Sequence, residues 1–357
     1  MTNLCSHSKP NLNDQYLGII GDSGTTGAAS DPHISADVWT LTFNGLNGIT
    51  MMNNNSDDRI QLSSQIQSEL NINPKLIPPT RIWQSSQEKS NSKSMINKIK
   101  LMGEQLDIEE HSFGYLIGNS LHIRPSHILF ASQDGAKAES LYHQFNRLKD
   151  AVFGYLPQRV IISYTGNDMC SEDIMTTEPT LLGDRYYKIF KRELQKVFSE
   201  SKVHPQGTTI YILANLNLIQ VLHNSEILEK KVPFQGGNIS CRNMREGNTN
   251  RNILGLVPVN FAKSLNGMCT AILKTHPLDQ KRIHHLIQIH SSYVDAQKQV
   301  VQDLSAEAKF RGIELVFISE TAEILFSKED VANDCFHPSH LAHIKIARKL
   351  QKYLRTN

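Results

Sequence analysis

The chain has 357 residues, 39% of them hydrophobic, so it is long enough to bury one sizeable α/β core and still carry long surface excursions. Its 37 Lys and Arg residues nearly balance 35 Asp and Glu residues, and the net charge of +2 excludes a long-range field that would attract nucleic acid or an anionic membrane. A lipid substrate would have to be bound by local apolar contacts. No apolar run approaches the roughly 18 residues of a membrane span, and the first 14 residues lack the apolar stretch of a secretory leader.

Five short apolar runs predict β-strands. The first, Tyr16 to Ile20, leads directly into a turn rich in small residues, 21–27. The other four predicted strands are Ile128 to Ala131, Arg159 to Tyr164, Thr208 to Leu213 and Ile313 to Ile318. Helical patterns cover about Ala136 to Lys149, Leu182 to Ser199, Lys281 to Lys309 and Pro338 to Leu354. Strands that alternate with helices favour an α/β fold in which a parallel sheet is covered on both faces.

Two connections are too long for simple crossovers between strands. They span roughly residues 30–125 and 215–280. Loops of this length are usually functional or disordered, so we expect them to form a lid or an acyl-binding groove. Because no internal repeat or second nucleotide fingerprint is visible, we interpret residues 1–357 as one domain with two insertions.

Residues suited to nucleophilic catalysis follow the predicted strands in a fixed order. Ser23 follows the first strand, Gly135 the second and Asn167 the third, while Asp334 and His337 precede the last helix. A serine needs a neighbouring base, the base needs a carboxylate to fix its tautomer, and the developing oxyanion needs preorganised donors. Carboxyl ends of parallel strands share one edge of the sheet, so these groups are expected to meet there. Gly135 can present its N–H because no Cβ blocks the approach.

Each of these signals also has an ordinary structural interpretation. Ser23 could be a helix cap or part of a weak phosphate cradle, and Asn167 could simply hold a turn. The tetrapeptide at 21–24 also resembles the serine segment of trypsin-like proteases, but there the His and Asp precede the serine and the fold is all β. His337, His340 and His343 are spaced by three, as in some metal sites, yet steps of three drift around a helix and no matching ligand cluster is evident. We therefore favour a solvated helix with one catalytic histidine at its entrance.

Four short segments, which we call blocks, contain in chain order Ser23, Gly135, Asn167 and the Asp334/His337 pair. Taken together, these four blocks resemble the SGNH (GDSL) hydrolase superfamily in order and over most of the chain. The resemblance implies a three-layer, flavodoxin-like fold with a central five-stranded parallel sheet. It also implies that Ser23 is the nucleophile, that Asp334 and His337 complete a catalytic triad, and that the Ser23 N–H, Gly135 and Asn167 form the oxyanion hole.

Two further acidic residues receive supporting roles from the same resemblance: Asp22 would anchor the turn, and Asp168 would support the third block. The sequence departs from the family pattern at two positions. Gly24 stands where the GDSL signature has Leu, and Asp134 precedes Gly135 where a small residue is common. The second departure puts the oxyanion geometry in question. The mechanism implied needs no metal and no organic cofactor.

Finer details resemble the phospholipase B and acyloxyacyl hydrolase branches, namely the segment from Tyr164 to Cys170 with Met175-Thr176-Thr177, and Pro32-His33-Ile34 with Trp39. They imply that the substrate is a fatty-acyl ester of a phospholipid or lysophospholipid, with membrane contact only through that substrate and no protein partner. An esterase that deacetylates carbohydrate is the alternative enzyme. A catalytically silent binding protein of the same fold is a third interpretation, against which the intact set of site residues argues.

Five cysteines bear on the compartment: Cys5, Cys170, Cys241, Cys269 and Cys335. They could form two pairs with Cys5 left over, and free buried thiols are the alternative. The pairs that we consider are Cys170 with Cys335, which would tie the Asn167 loop to the triad, and Cys241 with Cys269. Such bonds favour a secreted or extracytoplasmic protein, although no leader is visible in the sequence and its absence points the other way.

Overall fold

The computed structural model describes residues 14–26, 112–133, 135–234, 237–246, 250–253, 257–260 and 269–354. Several features noted in the sequence lie outside the described residues: Cys5, the Pro32-His33-Ile34 segment, Trp39, Asp134, and residues 30–111 of the first long connection, on which the expectation of a lid or acyl-binding groove partly falls.

The described part of the chain contains nine β-strands: β1 Leu17–Gly21, β2 Ile128–Phe130, β3 Arg159–Ser163, β4 Thr208–Leu213, β5 Lys231–Phe234, β6 Gly237–Ser240, β7 Asn250–Ile253, β8 Val257–Asn260 and β9 Ile313–Ile318. Five of them form a parallel sheet in the order β2-β1-β3-β4-β9. These are the five apolar runs, and each strand lies within one residue of its predicted bounds. The other four strands form two antiparallel hairpins, β5-β6 and β7-β8.

The order of the strands places a crevice next to β1. Counted among themselves, the five sheet strands run 2-1-3-4-5, which is the flavodoxin-like order. The chain goes from β1 to one side for β2 and to the other side for β3, so β1 lies at the topological switch point, where open α/β sheets bind ligands. In the register of β1 and β3, Gly21 pairs with Ser163. The segments that follow these two strands therefore leave the sheet side by side.

Helices cover both faces of the sheet. The α-helices among the described residues are α1 Ser23–Thr26, α2 Phe113–Ser120, α3 Leu141–Ala151, α4 Pro179–Glu200, α5 Gln220–His223, α6 Ser225–Leu228, α7 Cys241–Glu246, α8 Thr270–Leu273, α9 Gln280–Phe310 and α10 His340–Leu354. Gly18 faces α3, since a Cβ on it would lie 2.5 Å from Leu148 Cδ1, and its neighbour Ile19 contacts Gly114 of α2. Successive strand residues point to opposite faces. One outer layer thus holds α3, α4 and α9, and the other holds α2 and α10.

The predicted helices are present, with shifted ends that have local causes. Helix α3 begins five residues after the predicted Ala136, because residues Ala138–Ser140 form a 3-10 turn. Helix α4 begins earlier than predicted, at Pro179, which needs no N–H partner at a first helical position. The expectation that Pro338 opens the last helix is wrong, because Pro338 pairs with Val331 in an antiparallel bridge and α10 begins two residues later.

The second long connection has structure of its own. Its described residues form α5 to α8 and both hairpins, and they include buried side chains such as Val221, Cys241 and Ile272. None of the helices in the described ranges is long and apolar enough to cross a bilayer.

Candidate active site

The turn after β1 places Ser23 at the edge of the sheet, as the first residue of α1. Gly21 makes this turn possible. A Cβ at Gly21 would lie 2.0 Å from the carbonyl oxygen of Ser163 on β3, a distance that no larger residue could accept. Only glycine lets β1 stay beside β3 while the chain turns into α1.

Ser23, His337 and Asp334 form a continuous chain of hydrogen bonds, although Ser23 and His337 are 314 positions apart in the sequence. His337 Nε2 lies 3.0 Å from Ser23 Oγ, and His337 Nδ1 lies 2.5 Å from Asp334 Oδ2. All three residues are buried. A hydroxyl, an imidazole and a carboxylate in this order are the arrangement that activates a serine for nucleophilic attack.

Asp334 is held as a carboxylate that orients the imidazole. Its Oδ1 accepts the main-chain N–H groups of Phe336 and His337, both at 3.0 Å. Burial by itself raises the pKa of Asp334, but the neighbouring His337 and these hydrogen bonds outweigh burial and lower it. An ionised Asp334 favours the tautomer of His337 that carries its proton on Nδ1, which leaves Nε2 to accept the proton of Ser23 Oγ.

Asp22 has no such role, because its carboxylate is used to brace the turn. Asp22 Oδ2 accepts the Thr165 N–H at 2.7 Å, and Oδ1 accepts Thr165 Oγ1–H at 2.7 Å and the Gly24 N–H at 3.1 Å. Burial raises the pKa of Asp22 to about 6, and the hydrogen bonds from Thr165 work against that rise. The position of Thr165 against this turn also explains why the sequence has Gly24 where the GDSL signature has Leu, because a Cβ at position 24 would lie 2.5 Å from Thr165 Cγ2. With a threonine at 165, a leucine cannot fit at 24.

Gly135 and Asn167 lie in two loops that touch each other beside the serine turn. Asn167 Nδ2 donates to the carbonyl oxygen of Ala136 at 3.2 Å, and the Gln133 N–H donates to Gly21 O at 3.1 Å. Gly135 has a φ of +70°, and nothing described lies within 4 Å of where its Cβ would be. The structure therefore brings the residues expected to donate to an oxyanion to the same edge as Ser23. An amide has two N–H donors, so one remains on Asn167 for a ligand.

Asp168 supports the same pair of loops. Its Oδ2 accepts the Ala138 N–H at 3.1 Å, which fixes the 3-10 turn that precedes α3. Burial raises the pKa of Asp168 to about 7, although the hydrogen bond from Ala138 and the charge of Lys137 oppose that rise.

The expectation of a solvated helix after the catalytic histidine is wrong for His343. This side chain is fully buried, and its Nδ1 accepts the Phe113 N–H at 3.3 Å. His343 therefore joins α10 to α2, whereas His337 lies in the loop before α10.

Sequence reasoning missed Gln144, a buried residue of α3 whose amide makes two hydrogen bonds to the main chain of Gly21. Gln144 Oε1 accepts the Gly21 N–H at 3.0 Å, and Gln144 Nε2 donates to Gly21 O at 2.8 Å. Tyr164 OH also donates to Gln144 Oε1, at 3.2 Å. A signal was available, because Gln144 lies between Leu141 and Leu148 on the apolar stripe of a predicted helix, where a polar side chain needs a partner.

Both disulfide pairings expected from the sequence are wrong. The structure joins Cys170 to Cys269 and Cys241 to Cys335. In each bond, one cysteine lies in a loop of the site and the other lies in the 215–280 connection. Cys170 is close to Asn167 in the chain, and Cys335 lies between Asp334 and His337. Two disulfides indicate that the protein folds in an oxidising environment.

Neither the scan against protein-family models nor the search of curated proteins finds a match for this chain. The function of the protein is therefore inferred from the arrangement of its own side chains.

Proposed function

We propose that this protein is a serine hydrolase of the SGNH type that cleaves carboxylic esters. The observation that carries the proposal is the buried chain from Ser23 Oγ through the His337 imidazole to the Asp334 carboxylate, with distances of 3.0 and 2.5 Å. A bound phosphate or a simple helix cap needs a serine but has no need for this base and carboxylate behind it.

The reaction proceeds in two stages, acylation of Ser23 and hydrolysis of the acyl-enzyme. Ser23 Oγ attacks the ester carbonyl carbon while His337 Nε2 takes the hydroxyl proton, and the tetrahedral oxyanion accepts hydrogen bonds from the Ser23 N–H, the Gly135 N–H and Asn167 Nδ2. The intermediate collapses and expels the alcohol, which leaves with the proton from His337. Water then attacks the acyl-enzyme with His337 again as the base, and the carboxylic acid and free Ser23 are released.

Three features beyond the triad support the SGNH type. The sheet has the flavodoxin-like order, the site lies at its switch point, and the blocks occur in the order of that superfamily. The further step to fatty-acyl esters of phospholipids or lysophospholipids depends on the resemblance of the segment 164–177 to the lipid-cleaving branches. An oxidising compartment suits an enzyme that acts on lipid outside the cytosol.

The test is release of fatty acid from mixed phospholipid and lysophospholipid vesicles by the purified chain. We expect release from the wild type, none from Ser23→Ala, and full release from the control Ser199→Ala, which changes a serine on the exposed side of α4. Activity confined to acetylated carbohydrate would keep the serine mechanism and overturn the lipid substrate. No hydrolysis of any ester by the folded protein would refute the proposed function and favour a silent binding protein.

A further inference from the structure

Cys335 lies between the two members of the Asp334/His337 pair and adopts a conformation that L-residues rarely adopt, with a φ of +62°. Its side chain is fully buried. The turn around it is closed by two main-chain hydrogen bonds, from Cys335 N–H to Ala332 O at 3.0 Å and from Ala332 N–H to His337 O at 2.8 Å. Because the backbone of Cys335 sets the relative directions of Asp334 and His337, whatever fixes Cys335 also fixes the pair.

Helix α7, in the 215–280 connection, holds Cys335 in two ways. Cys241, the first residue of α7, forms the disulfide with Cys335. Arg245, one turn later, donates from Nη2 to the carbonyl oxygen of Cys335 at 2.7 Å and from Nη1 to the carbonyl oxygen of Val221 in α5 at 2.6 Å. The planar guanidinium thus links the turn of the site to a helix whose Val221 is fully buried.

Arg245 carries a positive charge that is costly to remove from water, so its burial needs specific hydrogen-bond partners. Only 8% of its surface is exposed, and burial lowers its pKa to about 10, while the negative charge of Asp334 acts in the opposite direction. The guanidinium is still protonated at neutral pH, so it donates to Cys335 O with its full charge. The same positive charge favours the ionised form of Asp334.

We propose that Arg245 is a positioning residue, which together with the Cys241–Cys335 disulfide fixes Cys335 and so keeps His337 Nε2 within reach of Ser23 Oγ. The inference rests on the proposed function and deepens it. In this proposal, helix α7 of the 215–280 connection does not act as a lid. It lies outside the parallel sheet and holds in place the turn that carries Asp334 and His337.

Arg245→Ala tests this support, with Arg242→Ala as its matched control. Both arginines lie on α7 and line one cavity of about 150 Å³, but Arg242 is 36% exposed and pairs with Glu229 on the surface. The readout is the rate at which a fluorophosphonate labels Ser23. We expect labelling of Arg245→Ala to be about 10²-fold slower, as for a reacting group displaced by about 1 Å, and labelling of Arg242→Ala to be unchanged.

Guanidinium ion added to Arg245→Ala separates positioning from a merely structural role. Arg245 lines a cavity, so we expect the truncated side chain to leave room there for the ion. Guanidinium chloride should then restore a large part of the labelling rate, and sodium chloride at the same concentration should not. If Arg245 only stabilised the fold, the folded fraction of the variant would label at the wild-type rate and guanidinium would not increase that rate.

A second readout does not depend on turnover. The proton shared by His337 Nδ1 and Asp334 should give a far-downfield NMR signal in the wild type, and this signal should be broadened or shifted in Arg245→Ala. Failure of wild-type Ser23 to label would count against the proposed function, whereas the NMR signal would still decide whether Arg245 positions the pair. If Arg245→Ala does not fold, Arg245→Lys takes its place, because an ammonium keeps the positive charge but lacks the planar fork with which the guanidinium contacts both carbonyls. A folded variant with wild-type labelling and an unchanged NMR signal would overturn the inference.

Discussion

The brace between Thr165 and Asp22 allows a prediction with a definite sign in pH. Thr165→Val keeps the shape of the side chain but removes the Oγ1–H that donates to Asp22 Oδ1 at 2.7 Å. A hydrogen bond to a buried charged group contributes about 1.5–3 kcal/mol, against about 1 kcal/mol when the acceptor is neutral. The loss therefore costs the ionised form about 0.5–2 kcal/mol more than the neutral form. At about 1.36 kcal/mol per pKa unit, it should raise the pKa of Asp22 from about 6 to roughly 6.5–7.5.

The effect on stability follows from the direction of that shift. In the unfolded chain Asp22 has its ordinary pKa, so a pKa that is raised in the fold gives stability that is present at low pH and is lost as the pH rises. Thr165→Val should therefore reduce the free energy of unfolding by about 1 kcal/mol at about pH 5 and by about 1.5–3 kcal/mol at about pH 9. Urea unfolding at both pH values measures it. Thr176→Val, on the surface, should change stability by less than about 0.5 kcal/mol at either pH. Equal losses for Thr165→Val at both pH values would show that Thr165 does not stabilise the ionised carboxylate.

Three further changes test other parts of the site. Asn167→Ala should lower kcat about 10²- to 10³-fold with the fold intact, and full activity in that variant would remove Asn167 from the oxyanion hole. Burial raises the pKa of Asp168 to about 7, so the wild type should lose about 3–4 kcal/mol of stability relative to Asp168→Asn between about pH 4 and pH 8. Urea unfolding measures this loss, and a constant difference between the two proteins would contradict it. Gly24→Ala should destabilise the fold by about 1–3 kcal/mol through its clash with Thr165, and Thr165→Ala should relieve part of that loss in the double variant, whereas additive effects would exclude the clash.

The parts of the molecule that local sequence patterns determine could be predicted. The five strands of the parallel sheet are short apolar runs that need no distant information, and the carboxyl ends of parallel strands necessarily share an edge. That rule was enough to expect Ser23 and Asn167 close together. The Asp334/His337 pair is local as well, because its members are three residues apart.

Features that depend on contacts between distant segments could not be predicted. Nothing in the spacing of the cysteines tells Cys335 to pair with Cys241 rather than with Cys170, because the choice depends on how the 215–280 connection packs on the loops of the site. Arg245 reads as an ordinary charged residue of a loop, and its burial follows from the two carbonyl oxygens that the fold places beside it. The start of α10 was misplaced for a similar reason, since Pro338 is engaged with Val331.

We claim that His337 makes Ser23 a nucleophile, so an electrophile that traps activated serines should react with Ser23 only when His337 is present. The wild-type chain is treated with a fluorophosphonate, digested and mapped by mass spectrometry, beside His337→Ala treated in the same way. The geometry predicts one adduct, on Ser23, in the wild type and a loss of nearly all labelling in His337→Ala. An unlabelled wild type, an adduct on another serine, or equal labelling of Ser23 without His337 would contradict the claim.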